Sequence, residues 1–309
     1  MATLVQEPQQ QACVSFKNIL LATDFSDASE KAFNYATAIA RLHGSKIYVV
    51  HVLPPESTSF IPELPRDRSR QEAEHEMGTL AGRSQLKEIA HETALRAGPV
   101  WNVLSAVIHE QNIELVVLGT HGRGGLKKLV LGSVAEEVVR RAGCPVITVG
   151  PHMDVPLSTS GEFHRILFAS DFHPASAKAF AYALLLTNQF QAKLILLHVM
   201  PPAALPGPEL TFYHEKAINE WQAKVRATTK EKLEKLLPPA AKLGSEPEYV
   251  VGFDFTAEGI VKVADERAAD LIVMGANRPM SAKLSSHLLR TVTYEVIRHA
   301  NCPVLTVSA

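Results

Sequence analysis

The 309-residue sequence predicts two doubly wound α/β domains in tandem, and three observations lead there. First, Ile19 to Pro55 (ILLATDFSDASEKAFNYATAIARLHGSKIYVVHVLPP) repeats without a gap as Ile166 to Pro202 (ILFASDFHPASAKAFAYALLLTNQFQAKLILLHVMPP), at an offset of 147 residues. So long a period marks a duplicated domain, not a solenoid of short repeats. Second, the strand-length runs are apolar throughout instead of alternating, as parallel strands covered on both faces must be. Third, helical patterns separate those runs, which is the strand–helix alternation of an open parallel sheet.

Each copy opens on a buried-strand run, Ile19-Leu20-Leu21-Ala22 and Ile166-Leu167-Phe168-Ala169. A helix follows. In Ala28 to Leu42 one stripe carries Ala32, Tyr35, Ala36, Ile39 and Ala40, Ser26 or Asp27 can cap its start, and Gly44 follows its end. The next runs are Ile47 to Val52, Val116 to Leu118 and Val146 to Val149, mirrored by Leu194 to Val199, Leu271 to Met274 and Val304 to Val307. Pro54-Pro55 with Pro62 and Pro65, and Pro201-Pro202 with Pro206 and Pro208, cannot continue a helix, so each stretch leads over the surface into a long charged helix. The second of those helices, about Leu210 to Leu237, stops at Pro238-Pro239. The copies end alike, Ala142-Gly143-Cys144-Pro145-Val146 against Ala300-Asn301-Cys302-Pro303-Val304. This gives domains at residues 16–150 and 163–309, joined by a Pro- and Ser-containing linker from Gly150 to Glu162.

Bulk properties exclude several classes. A net charge of −1 gives no electrostatic case for nucleic acid or an anionic membrane surface. No apolar run approaches the roughly 20 residues that span a bilayer. Met1 to Ser15 lacks the basic and apolar segments of a secretory signal and reads as a tail. Three cysteines make no disulfide framework: Cys144 and Cys302 read as small core residues, and nothing near Cys13 would activate it. A reducing cytoplasm is the expected setting. No His, Cys, Asp and Glu set has metal-site spacing.

Open parallel sheets bind ligands beyond the carboxyl ends of their strands, where the winding reverses. Two segments of the first copy fall at such ends. Ala22-Thr23-Asp24-Phe25-Ser26 closes the first strand, and Leu118-Gly119-Thr120-His121-Gly122-Arg123-Gly124-Gly125 closes the fourth. Glycines there allow backbone amides to approach phosphate oxygens with no Cβ between. Gly132-Ser133 then opens a helix whose free amides and dipole favour an anion. The full spacing, Gly-x2-Gly-x9-Gly-Ser after a buried strand, points to nucleotide or phosphate binding, although no GxxxxGK[ST] loop is present.

With ILLATDFS, VVHVLPP, VVLGTHGRGG, LGSVAEEVV and GCPVITV, the chain resembles a tandem universal stress protein over nearly its whole length outside the tail and linker. The resemblance implies, for each half, a five-stranded parallel sheet with helices on both faces, of the adenine nucleotide alpha hydrolase-like type. It implies that Thr23, Asp24 and Val52 line the adenine and ribose end, and that Leu118, Gly119 and Gly122 hold ribose and phosphates, with Arg123 beside them. Gly132, Ser133 and Val134 would clasp the phosphate tail. The implied ligand is ATP, with ADP or AMP as alternatives, and Mg²⁺ would arrive on the nucleotide, held by phosphate oxygens and water. Single-domain members commonly pair through their last strands, so the two halves are expected to meet there as a pseudo-twofold pair. A homodimer of the chain and an unidentified protein partner are further expectations.

Bland readings stand beside these. Asp24 recurs as Asp171 and reads equally as a helix cap, and His51 recurs as His198 and suits a satisfied near-site histidine. Arg123, Lys127 and Lys128 suit phosphate or solvent, and Ser133 suits a ligand or an N-cap. In the second copy Arg278 stands where Gly122 stands, Pro279 offers no N–H, and Arg290-Thr291 replaces Gly132-Ser133. That loop is expected to have lost nucleotide, unless Arg278 or Arg290 holds another anion. Without a placed base or nucleophile, the chain reads as an ATP-binding regulatory module with no assigned catalytic residue. The rivals are a slow ATPase or a phosphate- or adenylate-transferring enzyme at the same site, and a nucleotide-free scaffold.

Overall fold

The computed structural model describes residues 16–55, 66–121, 131–150, 153, 162–201, 215–276 and 291–308. The first half runs β1 (Asn18–Ala22), α1 (Asp27–His43), β2 (Lys46–Leu53), α2 (Arg66–Ala81), β3 (His91–Ala97), α3 (Val100–Glu110), β4 (Leu115–Gly119), α4 (Ser133–Arg141) and β5 (Val146–Val149). The second half runs β6 (Arg165–Ala169), α5 (Pro174–Phe190), β7 (Lys193–Met200), α6 (Glu215–Glu234), β8 (Glu248–Phe253), α7 (Thr256–Glu266), β9 (Leu271–Ala276), α8 (Val292–His299) and β10 (Val304–Ser308). Arg123 and Gly122, like Cys13, Arg278, Pro279 and Arg290, lie outside the described residues.

The strands form one ten-stranded sheet in the order β3-β2-β1-β4-β5-β10-β9-β6-β7-β8. Within each half every pairing is parallel, and the halves join where β5 meets β10 antiparallel. Alternate residues of one strand feed opposite layers. Ile19 and Leu21 enter the core under α1 and α5, while Leu20 packs with α3, α4, α7 and α8 residues on the other face. This two-sided burial is why the strands read as unbroken apolar runs. Each layer continues through both halves.

Local signals worked as their chemistry requires. Ser26 caps α1 by accepting from the Ser29 N–H, and Gly44 ends it in the left-handed region at φ 63°. Gln191 does the same for α5 at φ 50°, without glycine's freedom. The helix expected at about Leu210 to Leu237 is α6; its described part runs from Glu215 to Glu234, against 16 residues for α2. Cys144 and Cys302 are free thiols inside the fold, and burial pushes the Cys144 thiol up to about 11 and Cys302 higher. Neither is a thiolate at neutral pH.

The junction has its own symmetry. Thr148 pairs with Val304, Ile147 with Leu305 and Val146 with Thr306. The buried Thr148 hydroxyl donates to the Val304 carbonyl at 3.2 Å, and the Thr306 hydroxyl donates to the Val146 carbonyl at 3.3 Å. Around it, Phe16 of the first half stacks on Tyr182 of the second at 5.8 Å, and Phe163 of the second stacks on Tyr35 of the first at 6.0 Å. These are the same two positions of the repeat, exchanged. Replacing both threonines, Thr148→Val with Thr306→Val, removes two buried hydroxyl–carbonyl bonds at nearly constant volume and is expected to cost about 2 kcal/mol in urea unfolding, ~1 per bond. An unchanged midpoint would show that the hydroxyls contribute nothing to the junction.

Candidate functional site

Strand β1 has β2 on one side and β4 on the other, so the chain's winding reverses between β1 and β4. Beyond the carboxyl ends of these strands lies a cavity of about 240 Å³. Thr23 and Asp24 close it from β1, Val50, His51 and Val52 from β2, and Leu118, Gly119, Thr120 and His121 from β4. Val100 and Leu104 of α3, Gly132, Ser133, Val134 and Ala135 at the start of α4, and Ala22 and Ser29 complete the lining. Of the ten expected site residues, eight therefore surround one cavity: Thr23, Asp24, Val52, Leu118, Gly119, Gly132, Ser133 and Val134. The other two, Gly122 and Arg123, lie outside the described residues.

The β1 wall is a turn held by its own side chains. Phe25 takes a left-handed conformation at φ 60°. Its N–H donates to the Thr23 hydroxyl at 3.0 Å, while Asp24 Oδ1 accepts from the Ser26 N–H at 3.1 Å, the Ser26 hydroxyl at 2.6 Å and the Ser29 hydroxyl at 3.0 Å. The second half repeats this turn. Phe172 has φ 63°, and Asp171 Oδ1 accepts from the His173 N–H at 2.9 Å and the Ser176 hydroxyl at 2.5 Å. The carboxylate thus has a structural duty in both halves, whatever it adds toward a ligand. His51 behaves likewise. Its Nδ1 lies 2.8 Å from the Thr23 carbonyl, which can only accept, so the proton sits on Nδ1; His198 repeats the bond to Ser170 at 2.7 Å.

The β4 wall is set by two close approaches. A Cβ on Gly119 would stand 2.9 Å from Ala28 and from the Ser29 nitrogen, so α1 packs against bare backbone there. Gly275 of the second half is under the same constraint, with the Ser176 nitrogen at 2.5 Å. Gly119 is therefore a packing glycine as well as a lining one. Gly132 is pinned differently: its N–H donates to the Thr120 carbonyl at 2.8 Å, and a Cβ would meet that oxygen at 2.8 Å. A large residue at Gly132 would disturb the wall as well as block it. The two walls are also tied, because the Ser26 hydroxyl lies 3.2 Å from the His121 carbonyl.

The halves differ where α4 and α8 begin. Gly132 is the N-cap of α4 and has no side chain with which to cap it. Thr291 is the N-cap of α8, and its hydroxyl accepts from the Tyr294 N–H at 3.4 Å. The first-turn amides of α4 thus open at the cavity without a side-chain cap, next to the exposed Ser133 hydroxyl, whereas one of the α8 amides is already taken. Such a terminus attracts an anion through its N–H groups and dipole. Val50, Val52, Val100, Leu104 and Leu118 supply an apolar slot for a flat ring on the other side. Among the described lining residues there is no lysine or arginine, so backbone amides would meet the anion's charge.

Sequence reasoning missed Thr120, whose carbonyl orients Gly132, and the α3 residues Val100 and Leu104. Their i, i+4 spacing was the available signal. Among the described residues no group of three or more His, Cys, Asp or Glu could hold a metal ion, so any Mg²⁺ would rest mainly on a ligand's own oxygens. Gly119→Ala and Gly275→Ala are both expected to lose about 1–3 kcal/mol of stability from overpacking against a helix backbone. Equal thermal stability of either variant and the parent would refute the packing role.

The profile of the Universal stress protein family matches residues 15–150 and again 162–308. A universal-stress-family protein of Staphylococcus aureus strain USA300 is 32% identical over 146 residues, covering 44% of this chain and 85% of that protein. Among solved structures, a universal stress protein from Archaeoglobus fulgidus DSM 4304 superposes with a TM-score of 0.65 at 22% identity, covering 94% of this chain and 98% of the other. A functionally unknown protein from Pseudomonas aeruginosa PAO1 gives a TM-score of 0.60 at 16% identity, covering 96% and 93%. At such identities the structural likeness speaks for the fold, while the twofold profile match speaks for the family. The chain belongs to the universal stress protein family, with one domain of that family in each half.

Proposed function

We propose that the first half binds one adenine nucleotide, ATP or alternatively ADP or AMP, in the cavity between β1 and β4, and that the chain acts as a nucleotide-dependent regulatory module of the stress response. One observation carries this reading: the cavity ends on the start of α4, which has no side-chain cap and is formed by the closing Gly-Ser of the Gly-x2-Gly-x9-Gly-Ser segment. The apolar slot suits the base, the β1 turn and Val52 the ribose side, and the start of α4, with the Ser133 and Val134 amides beside the close backbone of Gly132, the phosphates. Gly122 and Arg123 would join them from the same segment, and Mg²⁺ would come with the nucleotide. Resemblance to nucleotide-binding members of the family supports the choice of adenine.

The regulatory reading takes binding without appreciable turnover. Asp24 Oδ1 and the Thr120 hydroxyl are each engaged within the site's own walls. The Nδ1–H bond of His51 fixes its tautomer and leaves Nε2 as its acceptor atom, so steady release of ADP or AMP in an assay would favour the enzyme reading instead. Among the described residues no helix is long and apolar enough to cross a membrane.

Two measurements test the site. Titration calorimetry with MgATP is expected to give a stoichiometry near one per chain; a value near two would mean that the second half binds as well. Ser133→Glu separates binding from folding. A carboxylate in the first turn of α4 favours the helix dipole by roughly 0.3–1 kcal/mol, so thermal stability should hold or rise. The same charge faces the phosphates, and nucleotide affinity is expected to fall at least about tenfold, the equivalent of ~1.4 kcal/mol. Unaltered affinity would remove the phosphates from this helix.

A further inference from the structure

The two halves differ again at the helices packed on one face of the sheet, α3 with α4 and α7 with α8. Helices α3 and α7 have the same length, equivalent C-caps, and a left-handed residue just beyond, Asn112 and Ala268, each at φ 47°. Aligning them places Ala257 where Trp101 stands. The shared Cys-Pro places His299 where Arg141 stands and Glu295 where Glu137 stands. In the first half the Arg141 guanidinium lies 4.8 Å from the Trp101 ring centroid and pairs with Glu137 at 2.7 Å, so an indole and a guanidinium fill the space between α3 and α4. In the second half both fillers are gone, and a groove of about 510 Å³ lies between α7 and α8.

The groove's charge has moved the other way. Glu258 and Asp265 stand where the first half has Asn102 and His109, while Glu266 and Glu295 keep the carboxylates of Glu110 and Glu137. Some of this charge is offset. Arg298 reaches Glu295 at 3.0 Å, Arg267 reaches Glu266 at 3.7 Å, the His299 imidazole is 3.4 Å from Glu295, and Asn301 donates to Asp265 at 3.1 Å. Lys262 is the one ammonium among the described lining residues. The balance still favours a cation where the first half supplies its own.

We propose that the groove between α7 and α8 is a docking site for an arginine and a neighbouring aromatic side chain of a partner protein, which fill the places left by Trp101 and Arg141. Its apolar floor, Ala257 and Val261, would take the ring, and the carboxylates would take the guanidinium. Trp, Tyr and Arg seated in pockets are enriched among the few residues that carry most of the binding energy of protein interfaces. The site lies in the half whose α8 start is capped, and it does not depend on nucleotide binding by the other half.

The probe is a capped Ala/Gln helical peptide carrying Trp and Arg four positions apart on one face, titrated into the full chain and followed by amide NMR shifts. The parent is expected to bind saturably, with shifts centred on α7 and α8 and an affinity at least about tenfold above that of Ala257→Trp, which plugs the groove from within. Ala257→Trp combined with His299→Arg rebuilds the first-half pair and should keep the fold while losing the peptide. Glu258→Gln, an exposed change, should weaken binding and reduce its salt dependence. The proposal fails if the parent shows no saturable shifts. It fails equally if the plugged variant binds as well as the parent, or if peptides with Arg→Gln or Trp→Ala bind as tightly.

Discussion

The antiparallel contact of β5 with β10 organises everything else. It turns two five-stranded sheets into one, hides the two edges that would otherwise invite pairing between molecules, and runs each core layer through both halves. Its register fixes the pseudo-twofold axis near Ile147 and Leu305, and the exchanged Phe–Tyr stacks obey the same axis. Because strands are parallel within each half and antiparallel across the contact, the carboxyl-end mouths of the halves face opposite ways. A ligand at one mouth cannot be shared with the other. Each half answers for its own site, and the sequence differences between halves become differences between two separate surfaces.

Duplication also separates structure from candidate function residue by residue. What both halves keep is what the fold needs. The left-handed phenylalanine, the carboxylate that gathers the turn, the histidine bonded to a strand-end carbonyl and the glycine facing a helix backbone all recur. Asp24, His51 and Gly119 can be accounted for without a ligand. What only the first half has is a helix that starts on a bare glycine at the cavity and a second filled space between α3 and α4. What only the second half has is a threonine cap and an unfilled groove. The divergent positions, not the shared ones, carry the functional argument.

Much of this was legible in the sequence. The repeat, the four apolar strands of each half and the cap and stop of α1 follow from period, burial and turn chemistry. Eight of ten expected site residues come to one cavity because motif spacing places them at strand ends and at the start of α4. The edge strands β3 and β8 were legible only through the family resemblance, since HETALRA and EYVVGF lack the unbroken apolar run of a strand covered on both sides. That also concealed Val100 and Leu104, which follow β3. The packing role of Gly119 could not be read either, for a phosphate-loop glycine and a helix-contact glycine look identical until the neighbouring backbone is in place.

The proposal that one nucleotide sits in the first half with its phosphates on α4 can be examined in a crystal structure of the full chain grown with MgATP. The expected density is one nucleotide per chain, its base between Val52 and the α3 residues and its phosphates at the start of α4, against Gly132 and the amides of Ser133 and Val134. Nucleotide density at the carboxyl end of the second half, or an empty first cavity at saturating MgATP, would contradict it.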